Sequence, residues 1–475
     1  MPIGDTLRSQ WQNPADVLSL LMLIGGDVVQ KSIAQLFGFY LQPSPRFPRI
    51  YLTPVAFSFG WVAYAFVSLI LAISDKQLMP STPDTPSVVI NARTGFSRTN
   101  NSWLLGRVLR DHELRIDACP GPLAARLSAL NADRAELEHA GLEHHAPLRT
   151  SLRIDIFTDD GGQGTLPRVD RVWILGWATI VLQLAIAGLP WALYGDWAVF
   201  LVTAAGTLLA LATGSLRQWA LEKWPGRRLN PRPPSEAPVI TDPETGAGAG
   251  AAHHLHPGPV PEAKTDSAGK KKCQCRPKPA TKTICLTRGN GHLNVLVILG
   301  SAAAWDLETL ATARSESCPE TVWCLGIMAA AWVCLLISVA ALEENTWFLV
   351  AVGGLGMVQN LYASSAPRSP ESMGIALRMD KGRPTIIGSS TCESKFWYKG
   401  SSADGVSDET LMAEIRDPSE VVGVRGAIRE LEKTIPRAGF ALMPVFFPSL
   451  FRVDRERYRD DAEARFWQLK FEGGN

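Results

Sequence analysis

Cys273 and Cys275 lie one residue apart among Lys270, Lys271, Lys272 and Arg276, downstream of His253, His254 and His256. Thiolates and imidazoles are the ligands zinc selects, but common structural sites use a Cys pair with wider spacing and a second ligand pair downstream. The Cys-x-Cys here has neither, so no metal is expected. Cations beside thiols carry a different chemistry. A polybasic run near a bilayer attracts anionic lipid, and neighbouring cysteines are acceptors for palmitoyl groups. GKKKCQCRPK reads as a membrane-surface contact through Lys270, Lys271, Lys272 and Arg276, or as a solvated linker that enforces topology. Nucleic acid is not an expected partner. The run lacks interleaved aromatic residues for base stacking, and the chain's 47 basic residues are balanced by 46 acidic ones.

Asp27 and Lys31 stand one helical turn apart and can pair. Inside a bilayer such a pair would line a ligand or transport path. On a helix lying in the interface it would be a wet stripe. LTRGNGHLN (286–294) offers glycine-rich backbone before an apolar segment, yet it does not match the phosphate-loop spacing. Asp159 and Asp160 precede two glycines, which is first a turn signal. His139, His144 and His145 accompany Glu136, Glu138 and Glu143 without the H-E-x-x-H spacing, so a solvated helix face explains them better. No nucleophile elbow or dinucleotide fingerprint occurs either. No catalytic residue and no cofactor is expected.

The elements that would position these residues are dominated by uncharged apolar runs. A helix crosses the roughly 30 Å hydrocarbon core with about 20 residues. Residues 52–74, 172–194, 197–216 and 322–342 meet that length without a charge, and 345–367 does so with Gln359 and Asn360 near its end. Tryptophans at 173, 191, 197, 219, 224, 323 and 347 fall at or near the run ends, where amphipathic rings favour headgroups. Gly195-Asp196 and Leu342-Glu343-Glu344 are breaks short enough to make two hairpins. Segment 13–40 fits either a partial span or an interfacial amphipathic helix, and 292–313 a helix on the membrane face.

The expected fold class is therefore an α-helical integral membrane protein of five or six transmembrane helices, with small α+β cytosolic loop and tail regions. The expected organisation is an N-terminal segment 1–51, a span 52–74, a loop domain 75–171 and a hairpin 172–216. A basic, disordered linker follows at 217–291, then a membrane-associated stretch 292–321, a hairpin 322–367 and a tail domain 368–475. Residues 217–291 hold thirteen Lys or Arg against six Asp or Glu, clustered at both flanks, which places the loops and the tail in the cytosol. Asn100 heads a glycosylation sequon that this placement leaves unmodified. Eight cysteines in so long a chain do not form a disulfide scaffold. SVVINA and LRIDIFTDD alternate as strands, while VVGVRGAIRELEKT repeats as an amphipathic helix. RAGFALMPVFFPSLF (437–451) packs under the tail or sits in the interface.

NPADVLSLLMLIGGDVVQKSIAQL, LTPVAFSFGWVAYAF, INARTGFSRTNNSWLLGR, KTICLTRGNGH and RAGFALMPVFFP together resemble uncharacterised multi-pass membrane proteins of filamentous ascomycete fungi, over most of the chain. The resemblance implies a membrane protein and carries no activity or site residue. The expected function is a non-enzymatic membrane scaffold or adaptor, whose partners are the bilayer, anionic lipid at the linker and a cytosolic protein on the tail. The alternative is a transporter or channel using Asp27 and Lys31.

Overall fold

Alternating and β-branched stretches from four separate parts of the chain come together in one sheet. A computed structural model describes residues 25–42, 49–81, 83–118, 150–159, 167–225, 282–300, 305–314, 318–342, 344–380, 382–383, 385–389, 396–398, 421, 423–448 and 466–467. A two-stranded ribbon pairs β1 (Tyr40–Leu41) with β2 (Ile50–Tyr51). The large sheet contains eight strands: β3 (Val88–Asn91), β4 (Ser97–Thr99), β5 (Thr150–Asp159), β6 (Thr283–Thr287), β7 (Asn294–Leu299), β8 (Leu377–Met379), β9 (Thr385–Ser389) and β10 (Phe396–Tyr398). Their order is β10-β9-β5-β7-β6-β3-β4, with β8 also on β5. β5 and β7 pair in parallel and the other pairs are antiparallel.

Both faces of this sheet are covered. Leu152, Ile154 and Ile156 of β5 pack with α10 (Gly423–Thr434) and α11 (Ala438–Phe446). Phe157 turns to the other face, beside Leu104, Leu105 and Val108 of α3 (Trp103–Ala118) and Leu310 of α7 (Leu307–Ala311). The period-two pattern of the strand is what separates the two cores. Trp103 at the head of α3 already belongs to a third core, the interior of a helical bundle.

That bundle holds α1 (Gly26–Leu36), α2 (Trp61–Ser74), the antiparallel hairpin of α4 (Arg171–Tyr194) and α5 (Ala198–Gly214), and α8 (Pro319–Ala340) followed by α9 (Thr346–Ser365). A short α6 (Gln218–Lys223) closes its sheet end. The distal turns meet where Asn345 Nδ2 donates to Asp196 Oδ2 at 2.9 Å.

Three expectations are corrected here. The fold is not a five- or six-span helical protein with small α+β appendages. Among the described residues only α4 and α8 join length to apolarity, at 24 and 22 residues with mean hydropathy 2.0 and 2.3. α2 and α5 stop at 14 and 17 residues, and α9, at 20 residues, falls short in apolarity. The physical reason is local. Residues 52–58 precede α2 as irregular backbone and 59–60 as a turn, so the first nine residues of the first apolar run never become helix. Second, the loop and tail pieces are not separate small regions, because β3, β5, β6, β7 and β9 are neighbours in one sheet. Third, 292–313 is not one membrane-face helix. NVLVIL forms β7, a buried β-branched run held between β5 and β6, and among the described residues of this stretch only Leu307–Ala311 turn helical.

Candidate functional site

The most unusual construction lies at mid-depth in the bundle, where the non-helical strap 52–60 is threaded between helices. Its entrance is fixed at the sheet end. Thr53 Oγ1 donates to Gly214 O at 3.0 Å, Ser215 Oγ to Tyr51 O at 2.9 Å and Trp173 Nε1 to Leu52 O at 3.4 Å. From there the chain runs inward, turns at Gly60 and returns as α2, so that Gln218 Nε2 meets Lys76 O at 3.0 Å back at the sheet end. α1 begins at the same depth. A side chain at Gly25 would touch Met357 and lie 3.9 Å from Gly60, and the far end of α1 is held by Lys223. Strap and α2 thus form a re-entrant unit beside a second half-length helix.

Non-helical backbone with no sheet ladder leaves its N–H and C=O groups unpaired, and in an apolar interior each such group is costly. Side-chain amides supply the partners. Gln183 Nε2 donates to Phe57 O and Val352 O, both at 2.7 Å. Asn360 Nδ2 donates to Ala56 O at 3.0 Å and to Ser58 Oγ at 2.9 Å, while Gln359 Oε1 accepts from Ala56 N at 3.4 Å. Trp61 Nε1 adds a second bond to Ala56 O at 2.9 Å. Glycines make the room. A Cβ on Gly356 would overlap Phe57 O, and one on Gly206 would stand 2.6 Å from the Phe57 ring. That ring stacks on Trp332 at 6.1 Å, and Trp332 stacks in turn on Trp61 at 5.6 Å. The Gly206, Ala210, Gly214 spacing, which as sequence suggests a helix–helix face, receives the strap at Gly206 and Gly214.

A charged layer joins this bundle to the sheet. Arg368 forks onto Asp170 at 2.5 and 2.9 Å, and Asp170 also caps α4 through Trp173 N at 3.0 Å. The Arg368 backbone N–H donates to Asp111 of α3 at 2.9 Å. Arg107 of α3 pairs with Asp84 at 2.7 Å and donates to Ser364 O at 2.6 Å. Burial lowers the Arg107 pKa to about 10, with Arg110 adding to the effect. Lys223 Nζ donates to Ala34 O and Phe37 O at 2.7 Å, capping the end of α1. Burial, and then Arg368, draw the Lys223 pKa well below the usual lysine range, while the three-carbonyl geometry and Asp170 favour its charged form. Glu222 accepts from Leu78 N and Met79 N, and burial raises its pKa against those bonds.

Within the sheet domain the nearest approach to catalytic furniture is His112 Nε2 at 2.8 Å from Asp155 Oδ2. Arg153 Nε reaches the same oxygen at 2.8 Å and Thr385 Oγ1 donates to Oδ1 at 2.7 Å. Burial alone would raise the Asp155 pKa. Hydrogen bonds from His112 and Arg153 and their charge reverse that, holding it at about 2. Asp155 is saturated by these partners, so the cluster ties α3 and β9 to β5. Cys285, buried in β6, has its thiol pushed up to about 12 by burial and is not a ready nucleophile. A cavity of about 20 Å³ beside Asp159, Lys282 and Trp305 has room for a water and is too small for a substrate. No group of three or more metal-ligating side chains is present among the described residues.

The residues singled out from sequence fare differently. Lys31 pairs with Asp84 at 3.4 Å, and Asp27 is exposed at the head of α1. Lys270, Lys271, Lys272 and Arg276 lie outside the described residues, as do Asp160 and the histidines from His139 to His256. Gln359 and Asn360 do enter the central site, and Gln183, which sequence reading passed over, is its third member. Its signal was available: a lone amide in the middle of a 24-residue apolar helix. Asp155 carried the same kind of signal, an acid inside the strand LRIDIF. Comparison with protein families, curated proteins and solved structures returned no match. Function therefore has to be read from these residues alone.

Proposed function

We propose that this protein is a non-enzymatic membrane platform: the helical bundle is seated in a bilayer and presents the sheet domain at its surface for a protein partner. The observation that carries this is the inverted polarity of the bundle helices. α4 buries Gly176, Thr179, Gln183 and Ala187 and exposes Ile174, Leu175, Val181, Leu182 and Leu189. α9 buries Gly353, Gly356, Gln359 and Asn360 and exposes Val358 and Leu361. In water the large apolar face would turn inward; among lipid tails small and polar residues make the contacts between helices. Exposed Trp191, Tyr194, Trp197 and Trp347 gather at the distal turns, and Trp323 and Tyr362 stand toward the sheet end. Such aromatic rims are favoured at the two interfaces of a bilayer. At about 1.5 Å per residue, α4 is about 36 Å long, enough to connect them.

Extraction of membranes with alkaline carbonate, followed by detergent, tests the reading. The full chain should stay with the pellet in carbonate and appear in the supernatant only with detergent. A chain that is monodisperse in aqueous buffer without detergent would sink it. The transport reading has less support, since Lys31 is engaged by Asp84 and not by Asp27.

A further inference from the structure

The two ends of the bundle differ in charge. The distal turns between α4 and α5 and between α8 and α9 contain Asp196 and Glu344 and, among the described residues, no Lys or Arg. The sheet end carries Arg168 and Arg171 at the start of α4, Arg217 just past the end of α5 and Arg314 ahead of α8, all four exposed, with Lys76 beside them and Asp75 and Glu320 as exposed acids. The antiparallel hairpin brings the start of α4 beside the end of α5, and Thr213 at that end of α5 meets Met328 of α8 at 3.4 Å. Arg168, Arg171 and Arg217 therefore share the sheet end of the hairpin whose apolar face is exposed, and Arg314 precedes α8 at the same end; together they make a basic rim. Among the described residues none of the four forms an ion pair, whereas Arg107, Arg110, Arg153 and Arg368 nearby are all committed to carboxylates.

We propose that this rim is a binding surface for the phosphate headgroups of anionic phospholipids, so that the sheet domain lies on the anionic leaflet. The inference rests on the membrane reading above and adds to it which lipid is recognised, where, and on which side. Guanidinium groups are suited to it, because they present fixed forks of donors to phosphate oxygens. A lipid is preferred over a soluble anion because apolar side chains continue the surface below the rim, where acyl chains would lie. Acidic distal turns fit the opposite, less anionic leaflet.

The test uses the purified full-length chain in a neutral-headgroup detergent, titrated with short-chain phosphatidylserine, short-chain phosphatidylcholine or inorganic phosphate. The thermal midpoint is the readout. Phosphatidylserine should raise it at concentrations where phosphatidylcholine and phosphate do not. Arg171→Gln and Arg217→Gln should each weaken the phosphatidylserine dependence about fivefold. Their midpoint without added lipid should stay near that of the unaltered chain, since neither forms an ion pair among the described residues. Arg168→Gln with Arg314→Gln provides a second pair should one of those variants fail to fold. Equal shifts with both lipids, a serine-lipid shift undiminished in the variants, or the same shift with phosphate alone would each overturn the proposal. A chain that needs no detergent would instead fail the membrane reading, so the two failures are distinguishable.

Discussion

The bundle and the sheet domain are built by opposite rules within one chain. In the sheet domain Ile154, Val295 and Val297 are fully buried, while Arg153 and Lys282 stay partly exposed and paired with carboxylates. In the bundle Gln183 and Asn360 are fully buried while Leu208 and Ile327 are exposed. Hydrophobic burial organises the first. The second is held by close packing around glycines and by amide hydrogen bonds to a segment with no ladder of its own. The difference teaches that hydrophobicity alone does not say where a residue goes; the surroundings decide it.

The contrast can be broken most severely at the tightest packing in the bundle. Gly356→Val should cost more than about 4 kcal/mol, because its side chain would occupy the place of the Phe57 carbonyl. Gly354→Ala, two residues away on the same helix with nothing within 4 Å, should fall within about 0.5 kcal/mol of the parent. If both variants unfold alike in detergent, the strap is not where the bundle is most constrained.

Gln183→Leu sharpens the contrast from the polar side. It keeps the volume and removes the donor to Phe57 O and Val352 O, so chemical unfolding in detergent should show a loss of about 2 kcal/mol. A stabilised variant would mean that the amides do not hold the strap.

The sheet domain has its own lever in acid. Asp155 titrates at about 2 in the folded chain against an ordinary 3.8, so its contribution is fully present above 3.8 and disappears as pH falls toward 2. About 2 kcal/mol should be lost across that window. Thermal midpoints measured down the pH series should fall for the parent more steeply than for Asp155→Asn. Parallel curves would remove the assignment. The smallest effect is expected on the exposed apolar face of the bundle, where Leu208→Asn should change stability in detergent by less than about 0.5 kcal/mol. A large loss would place Leu208 in a protein contact.

Parts of this division were legible in the sequence. Alternation marked β3 and β5, and the repeat of Ile428 and Leu431 marked α10, because one-faced burial imprints a period on the chain. The apolar runs were equally visible, but apolar character does not distinguish helix from buried strap or buried strand. Residues 52–60 stay non-helical because Gly206, Gly353 and Gly356 admit them and Gln183, Gln359 and Asn360 pair with them, and those residues lie far along the chain. NVLVIL is a strand for a similar reason: its neighbours on the two sides are β5 and β6. Of the central site, Gln359 and Asn360 stood out as amides in an apolar run. What they bind could not, since the strap is some three hundred residues away (a hydrogen-bond separation of 304 for Ala56 and Asn360).

The strand order also dictates a schedule for biosynthesis. β5 emerges before the first hairpin, β6 and β7 between the two hairpins, and β8, β9 and β10 after the second, yet β5 is flanked by β7 and β9. On a ribosome one edge of β5 must wait for β7 (through Leu299), and the other, for β9, until more than two hundred further residues have been made (through Ser389). Each hairpin must also have come back to the side it left, or the strands that follow it would be stranded away from their neighbours. The finished sheet thus acts as a check on the bundle: only a chain whose two helical hairpins have both returned to the sheet end can close it.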